Sequence, residues 1–177
     1  MTSKTVRLLS LIAAVGFWSA ALAPAWAEAD DPKALAAALK DATATLQGGL
    51  KASEREGTPI SAKFEIEDGK LQLSIYTMKG DAFMHEAFME VVADPQTGAI
   101  AKAEKITDAD DLKAATSQSA AMAKAKVSLL TATETAVKAN TGFRAVSIFP
   151  ELKGGQATAE VTLLQGTTFK KLVEKLD

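Results

Sequence analysis

The chain of 177 residues contains no cysteine. That excludes disulfides, a thiolate metal site and a thiol nucleophile. It has one histidine, His85, so a Ser-His-Asp triad would have to run through that residue, and no serine stands in a G-x-S-x-G setting. Basic blocks are absent and the formal net charge is −2, which argues against nucleic acid as a partner. Neither glycine pair, "QGGL" (Gln47 to Leu50) nor "KGGQ" (Lys153 to Gln156), follows a strand and opens a helix as a phosphate-binding loop requires. Carboxylates are numerous but scattered, and their spacing selects no catalytic pair. An enzyme is not expected.

What is present begins with an export signal. Lys4 and Arg7 precede the apolar run Leu8 to Ala23, and "AWA" (Ala25 to Ala27) places small residues at a cleavage site. The run is close to the length of a membrane span, about 20 residues. Pro24 and the acidic "EADDP" that follows favour cleavage after Ala27 over a retained anchor. The mature chain is then Glu28 to Asp177, without a stable membrane anchor, and loss of the two signal cations takes the net charge to −4. Export without cysteine fits a periplasmic location, with stability supplied by packing alone.

The mature sequence alternates between helical and strand periodicity. Asp31-Pro32 opens a helix, with Leu35, Leu39, Leu46 and Leu50 near one face and Gly48-Gly49 as a weak point or break. From Ile60 the period becomes two. Ile60, Ala62, Phe64 and Ile66 alternate with polar residues, Asp68-Gly69 marks a tight hairpin, and Leu71, Leu73 and Ile75 resume the pattern. Ala82 to Ala93 reads as a third strand, containing the echo "AFMHEAFME", and "AIAKAEKI" as a weaker fourth.

A second helical zone runs from Thr107 to Asn140 without proline or glycine, as one long helix or two abutting ones. Thr107 and Asp110 have capping-box spacing. After Asn140-Thr141-Gly142 the alternation returns in "FRAVSIF", a turn around "PELKGG", "QATAEVTLL" and "TTFKKLVEKL". The repeated order predicts an α+β protein of two tandem helix-plus-antiparallel-meander units joined by a long helix. The expected bounds are 1–27 for the signal, 28–106 for the first unit, 107–126 for a helical connector and 127–177 for the second, shorter unit.

With "ISAKFEIEDGKLQLSIYT" and "FMEVVADPQTGAIAKAEKI" on the page, the chain resembles the PepSY family, whose members show a strand, a D-x-x-T-G turn and a short closing strand. Asp94, Thr97 and Gly98 match that turn. The first unit carries the match; the second is partial, ending before such a turn. Tandem units of this kind also resemble secreted β-lactamase inhibitor proteins at the level of fold. The resemblance implies a non-catalytic protein-binding or peptidase-inhibiting role, with an envelope protein or peptidase as partner and no cofactor.

One metal reading stands beside it. His85 and Met89, with Met84 and Met78 nearby, are ligand types suited to copper(I) delivery or binding. Strand alternation puts His85 and Met89 on one face with Met84 opposite, and Met89 fits a core position as well. The run Asp108 to Asp111 lacks the glycine and glutamate of a calcium loop and suits a helix's first turn. Exposed sheet edges and the loops Met78 to Asp81 and Glu151 to Gly155 are the expected contacts for an extended peptide.

Overall fold

A computed structural model describes residues 31–80 and 87–177. The expected signal and the stretch containing Phe83, Met84 and His85 lie outside them. The described residues form α1 (Pro32–Ala38), α2 (Leu46–Ser53), β1 (Thr58–Glu67), β2 (Lys70–Lys79), β3 (Ala87–Ala93), β4 (Ile100–Lys105), α3 (Ala109–Met122), α4 (Leu129–Ala139), β5 (Arg144–Lys153), β6 (Gln156–Gln165) and β7 (Thr168–Lys175). All seven strands join one sheet in the order β4-β3-β2-β1-β5-β6-β7, each pair antiparallel.

This corrects the expectation of two tandem units joined by a long helix. The first strands of the two meanders pair with each other, Ala62 with Ile148 and Lys63 with Ser147. Leu46 and Leu50 of α2, Leu129 and Ala136 of α4, and Ile75 and Val161 of the sheet all belong to one core. Alternation reports strands and hairpins, but it does not say which edges meet. Two separate meanders would each leave an inner edge of unpaired backbone groups and a half-covered apolar face. Joining them removes both. The β1–β5 ladder is short and stops before Pro150, which has no N–H to give. Pro150 itself lies within β5 opposite Ala159, so the strand runs through the position where a turn is expected and ends at the Gly154-Gly155 hairpin.

The long helix is also two helices. The break at Ala123–Ser128 has no glycine or proline; it is set by tertiary hydrogen bonds. Lys126 and Val127 donate their amides to the carbonyl of Leu176, which is fully buried, and Ser128 caps α4 through its bond from Thr131 N. The cap of α3 is Asp108, whose carboxylate accepts from the amides of Asp110 and Asp111, one residue later than the Thr107 box predicts. Likewise the first helical region breaks not at its glycines but across Leu39–Thr45. Gly48 and Gly49 lie inside α2. A Cβ on Gly49 would meet Leu73 Cδ2 at 2.5 Å, so this glycine permits close seating of α2 on the sheet.

Two helices, α2 and α4, cover one face of the sheet, over Ala62, Leu73, Ile75, Val91, Ile148 and Val161. The other face is polar and only partly covered. There α3 crosses the end of the sheet where β1 and β6 begin and β2, β5 and β7 end, so Ile60, Phe88, Ile106 and Ala115 make a small second cluster. A bulge between Pro59 and Ser61 makes this seat: Ile60 is the extra residue, turned with Ser61 toward α3.

Candidate interaction surface

The turn that carries the family resemblance is a structural joint. Asp94 Oδ1 accepts from Gln96 N (3.0 Å), Thr97 N (2.7 Å) and Thr97 Oγ1 (2.9 Å), and Gly98 takes a positive φ of 71°. Two further bonds dock the turn onto the break between α1 and α2: Ala44 N to Pro95 O at 3.0 Å, and Thr43 Oγ1 to Gln96 O. These donors hold the Asp94 carboxyl below its usual pKa, the Thr97 backbone amide contributing most. The linked stability is present above the unfolded carboxylate pKa of about 4 and is lost as pH falls through the lower folded value. Asp94→Asn is therefore expected to melt below the parent chain at pH 6, with the difference shrinking as pH falls below about 4, as followed by circular dichroism.

On the partly covered face, strand register builds rows of polar side chains. Glu90, Tyr76 and Ser61 lie side by side on β3, β2 and β1, with Glu104 beyond Glu90 on β4. Tyr76 donates to Glu90 Oε1 at 3.3 Å. Lys63 is ion-paired with Glu65, and Gln72 Nε2 donates to Glu65 (3.3 Å), Glu67 (2.5 Å) and Ser74 (3.0 Å). Lys102 pairs with Glu104 at 2.8 Å. Carboxylates outnumber lysines on this half of the face, and the titrating groups register it. Burial first, then Glu65 and Glu67, pushes Glu90 up; burial, then Asp108, pushes Asp111 up; burial, then Glu90, Glu65 and Asp111, pushes the Tyr76 phenol well above its ordinary range.

An acid raised in the folded state opposes the Asp94 behaviour. Its ionisation costs stability as pH rises from the unfolded pKa through the folded one. Glu90→Gln, which removes the charge and keeps the shape, is expected to melt above the parent at pH 8 and to match it near pH 3.5. Equal melting of the two chains at both pH values would contradict the raised Glu90.

Where α3 meets this face, Ser61, Tyr76, Asp111, Ala114, Ala115 and Gln118 line a shallow cleft, open to solvent, with room for about one water-sized group. Ser61 Oγ donates to Gln118 Oε1 at 2.8 Å, while Gln118 Nε2, on a residue 4% exposed, has no partner among the described residues. No sequence pattern marks this site, because Ser61 and Gln118 lie 57 positions apart.

Of the metal candidates, Met78 and Met89 lie among the described residues. His85 lies outside the described residues. Met89 faces the helix-covered side, opposite Thr77, and packs against the main core, whereas Met78, opposite Phe88, lies on the other face and accepts a bond from Ser119 Oγ. Among the described residues no three His, Cys, Asp or Glu side chains are grouped to hold a metal ion. No helix among them is long and apolar enough to cross a membrane.

The described parts of the two expected contact loops come to one end of the sheet, Asp81 lying outside them. Lys79 at the end of β2 and the Glu151 to Gly155 hairpin share that end with the last residues of β7. Among the described residues, the large apolar side chains left exposed there are Leu152 (39%) and Val173 (53%). Among the described residues strand β7 is bonded to β6 alone and forms one edge of the sheet, with β4 at the other. No model of a known protein family, no curated protein and no solved structure matches this chain.

Proposed function

We propose that the chain is an exported, non-catalytic, PepSY-like protein-binding module that engages an extended segment of another envelope protein, a peptidase being one such target. The observation that carries this reading is the β7 edge. Eight residues offer one side of their backbone unpaired, and Val173 stands half exposed in the strand, a position without a role in the core. An extended segment adding to such an edge gains main-chain hydrogen bonds, and an exposed apolar side chain gives it a contact to bury. Lys170 and Lys171, bonded to Asn140 and Glu160, keep the edge from pairing indiscriminately.

Affinity capture tests it. The mature chain, tagged after the exposed Asp177, is returned to its own host and the retained envelope proteins are identified, with Val173→Asp and His85→Ala in parallel. The expected result is one protein retained by the parent and by His85→Ala, and weakened about tenfold by Val173→Asp without loss of fold. Retention of no protein, or copper carried by the parent alone, would overturn the reading.

A further inference from the structure

The cleft between α3 and the sheet combines three features. Its lining includes the acidic Asp111, the aromatic Tyr76 and Gln118, whose buried amide Nε2 has no hydrogen-bond partner among the described residues. A half-turn of that amide lets Nε2 donate to Ser61 Oγ, a hydroxyl able to accept, and points the carbonyl oxygen into the cleft. The site then offers a carboxylate, a carbonyl and an aromatic surface together. That is the environment of a protonated amine or guanidinium, bonded by the two oxygens and placed against a ring. The acidic field extends over the adjoining face through Glu90, Glu65 and Glu67, and from the first turn of α3 through Asp108 and Asp110. Lys63 is the nearby cation and is engaged by Glu65.

Size limits the occupant. The cleft has room for about one water-sized group, far less than a pocket for a whole ligand, so its occupant is a single charged tip seated at the mouth. It opens on a sheet face whose carboxylates continue past it, so a chain bearing several cations complements the surface better than a single small amine. We propose that this cleft is the anchor for a lysine or arginine of a basic peptide segment, laid over the acidic half of the polar, partly covered sheet face. The proposal rests on the protein-binding reading and gives its partner a chemistry.

The test is fluorescence anisotropy of a labelled peptide of alternating arginine and alanine, titrated with the mature chain at physiological salt. A glutamate-alanine peptide and free spermidine at equal charge serve as comparisons. The arginine peptide is expected to bind, the glutamate peptide not to, and spermidine to displace it poorly. Asp111→Asn should weaken binding about tenfold and Asp110→Asn less than about twofold, since both remove one charge from the same helix turn but only Asp111 lines the cleft. Gln118→Leu, with its melting temperature checked, should weaken it about fivefold. Absence of arginine-peptide binding, equal effects of the two aspartate changes, or displacement by spermidine at equal charge would each overturn the proposal. If a captured envelope protein is retained undiminished by Asp111→Asn and Gln118→Leu, the anchor fails while the binding-module reading stands.

Discussion

Arg144→Ala is expected to destabilise the chain by about 3 kcal/mol, since bonds from a charged donor contribute roughly 1.5–3 kcal/mol each and are not additive. The Arg144 guanidinium donates to three carbonyls, Leu39 (3.0 Å), Ala42 (2.8 Å) and Ala44 (2.6 Å), and its Cζ lies over the Phe64 ring, 5.2 Å from the ring centre. These carbonyls belong to the break between α1 and α2, where buried residues leave backbone groups without helical partners. Removing the fork takes these bonds from the Ala42 and Ala44 carbonyls, while Leu39 O keeps a 3.3 Å bond from Ala42 N. Burial lowers the Arg144 pKa, but a guanidinium stays charged throughout the accessible range. Arg144→Lys should recover less than half of the loss, because an ammonium cannot fork to two atoms in one plane. For a chain of this length the alanine change corresponds to a fall in melting temperature of roughly 6–12 °C. A fall of less than about 2 °C would show that the clamp carries little.

Gly57→Ala should be comparably severe, at about 3 kcal/mol, combining backbone strain with a steric conflict. Gly57 joins the 3-10 turn Glu54–Glu56 to β1 with φ 142° and ψ −178°, a region that a side chain makes nearly inaccessible. A Cβ there would stand 2.6 Å from Met78 O, a backbone atom of β2 that cannot swing aside. Relief would require β1 to move away from β2 at the end where Ile60 and Ser61 seat α3. The expected readout is a lower denaturation midpoint together with faster exchange of the α3 amides. Gly69→Ala is the comparison: its φ is also positive, at 73°, but nothing lies within 4 Å, so it should cost about 1 kcal/mol.

The local elements were legible because their causes are local. Asp68-Gly69 forms the β1–β2 hairpin with φ of 50° and 73°, and Asp94, Thr97 and Gly98 form the turn their spacing predicts. The apolar positions Leu46 and Leu50 face the core as their periodicity implies. What was not legible rests on distant partners. The β1–β5 seam is only two residue pairs long, between Ala62–Lys63 and Ser147–Ile148, and no turn chemistry announces it. Arg144 reaches carbonyls more than 100 positions away to fix a helix break that glycine content misplaces. The split between α3 and α4 depends on Leu176 at the far end of the chain. The cleft shares this property: Tyr76, Asp111 and Gln118 are unremarkable in sequence and meet only because α3 crosses the sheet end. The histidine and methionine pattern, conspicuous in the sequence, places Met89 in an ordinary core position.

The β1–β5 seam joins the two meanders into one sheet with β4 and β7 at its edges. Inter-strand nuclear Overhauser contacts measure this directly. The account predicts backbone contacts between Ala62 and Ile148 and between Lys63 and Ser147, as clear as those between Ala62 and Ile75 within the first hairpin. Strong contacts within both hairpins with none across Ala62 and Ile148 would mean two separate meanders, and would contradict it.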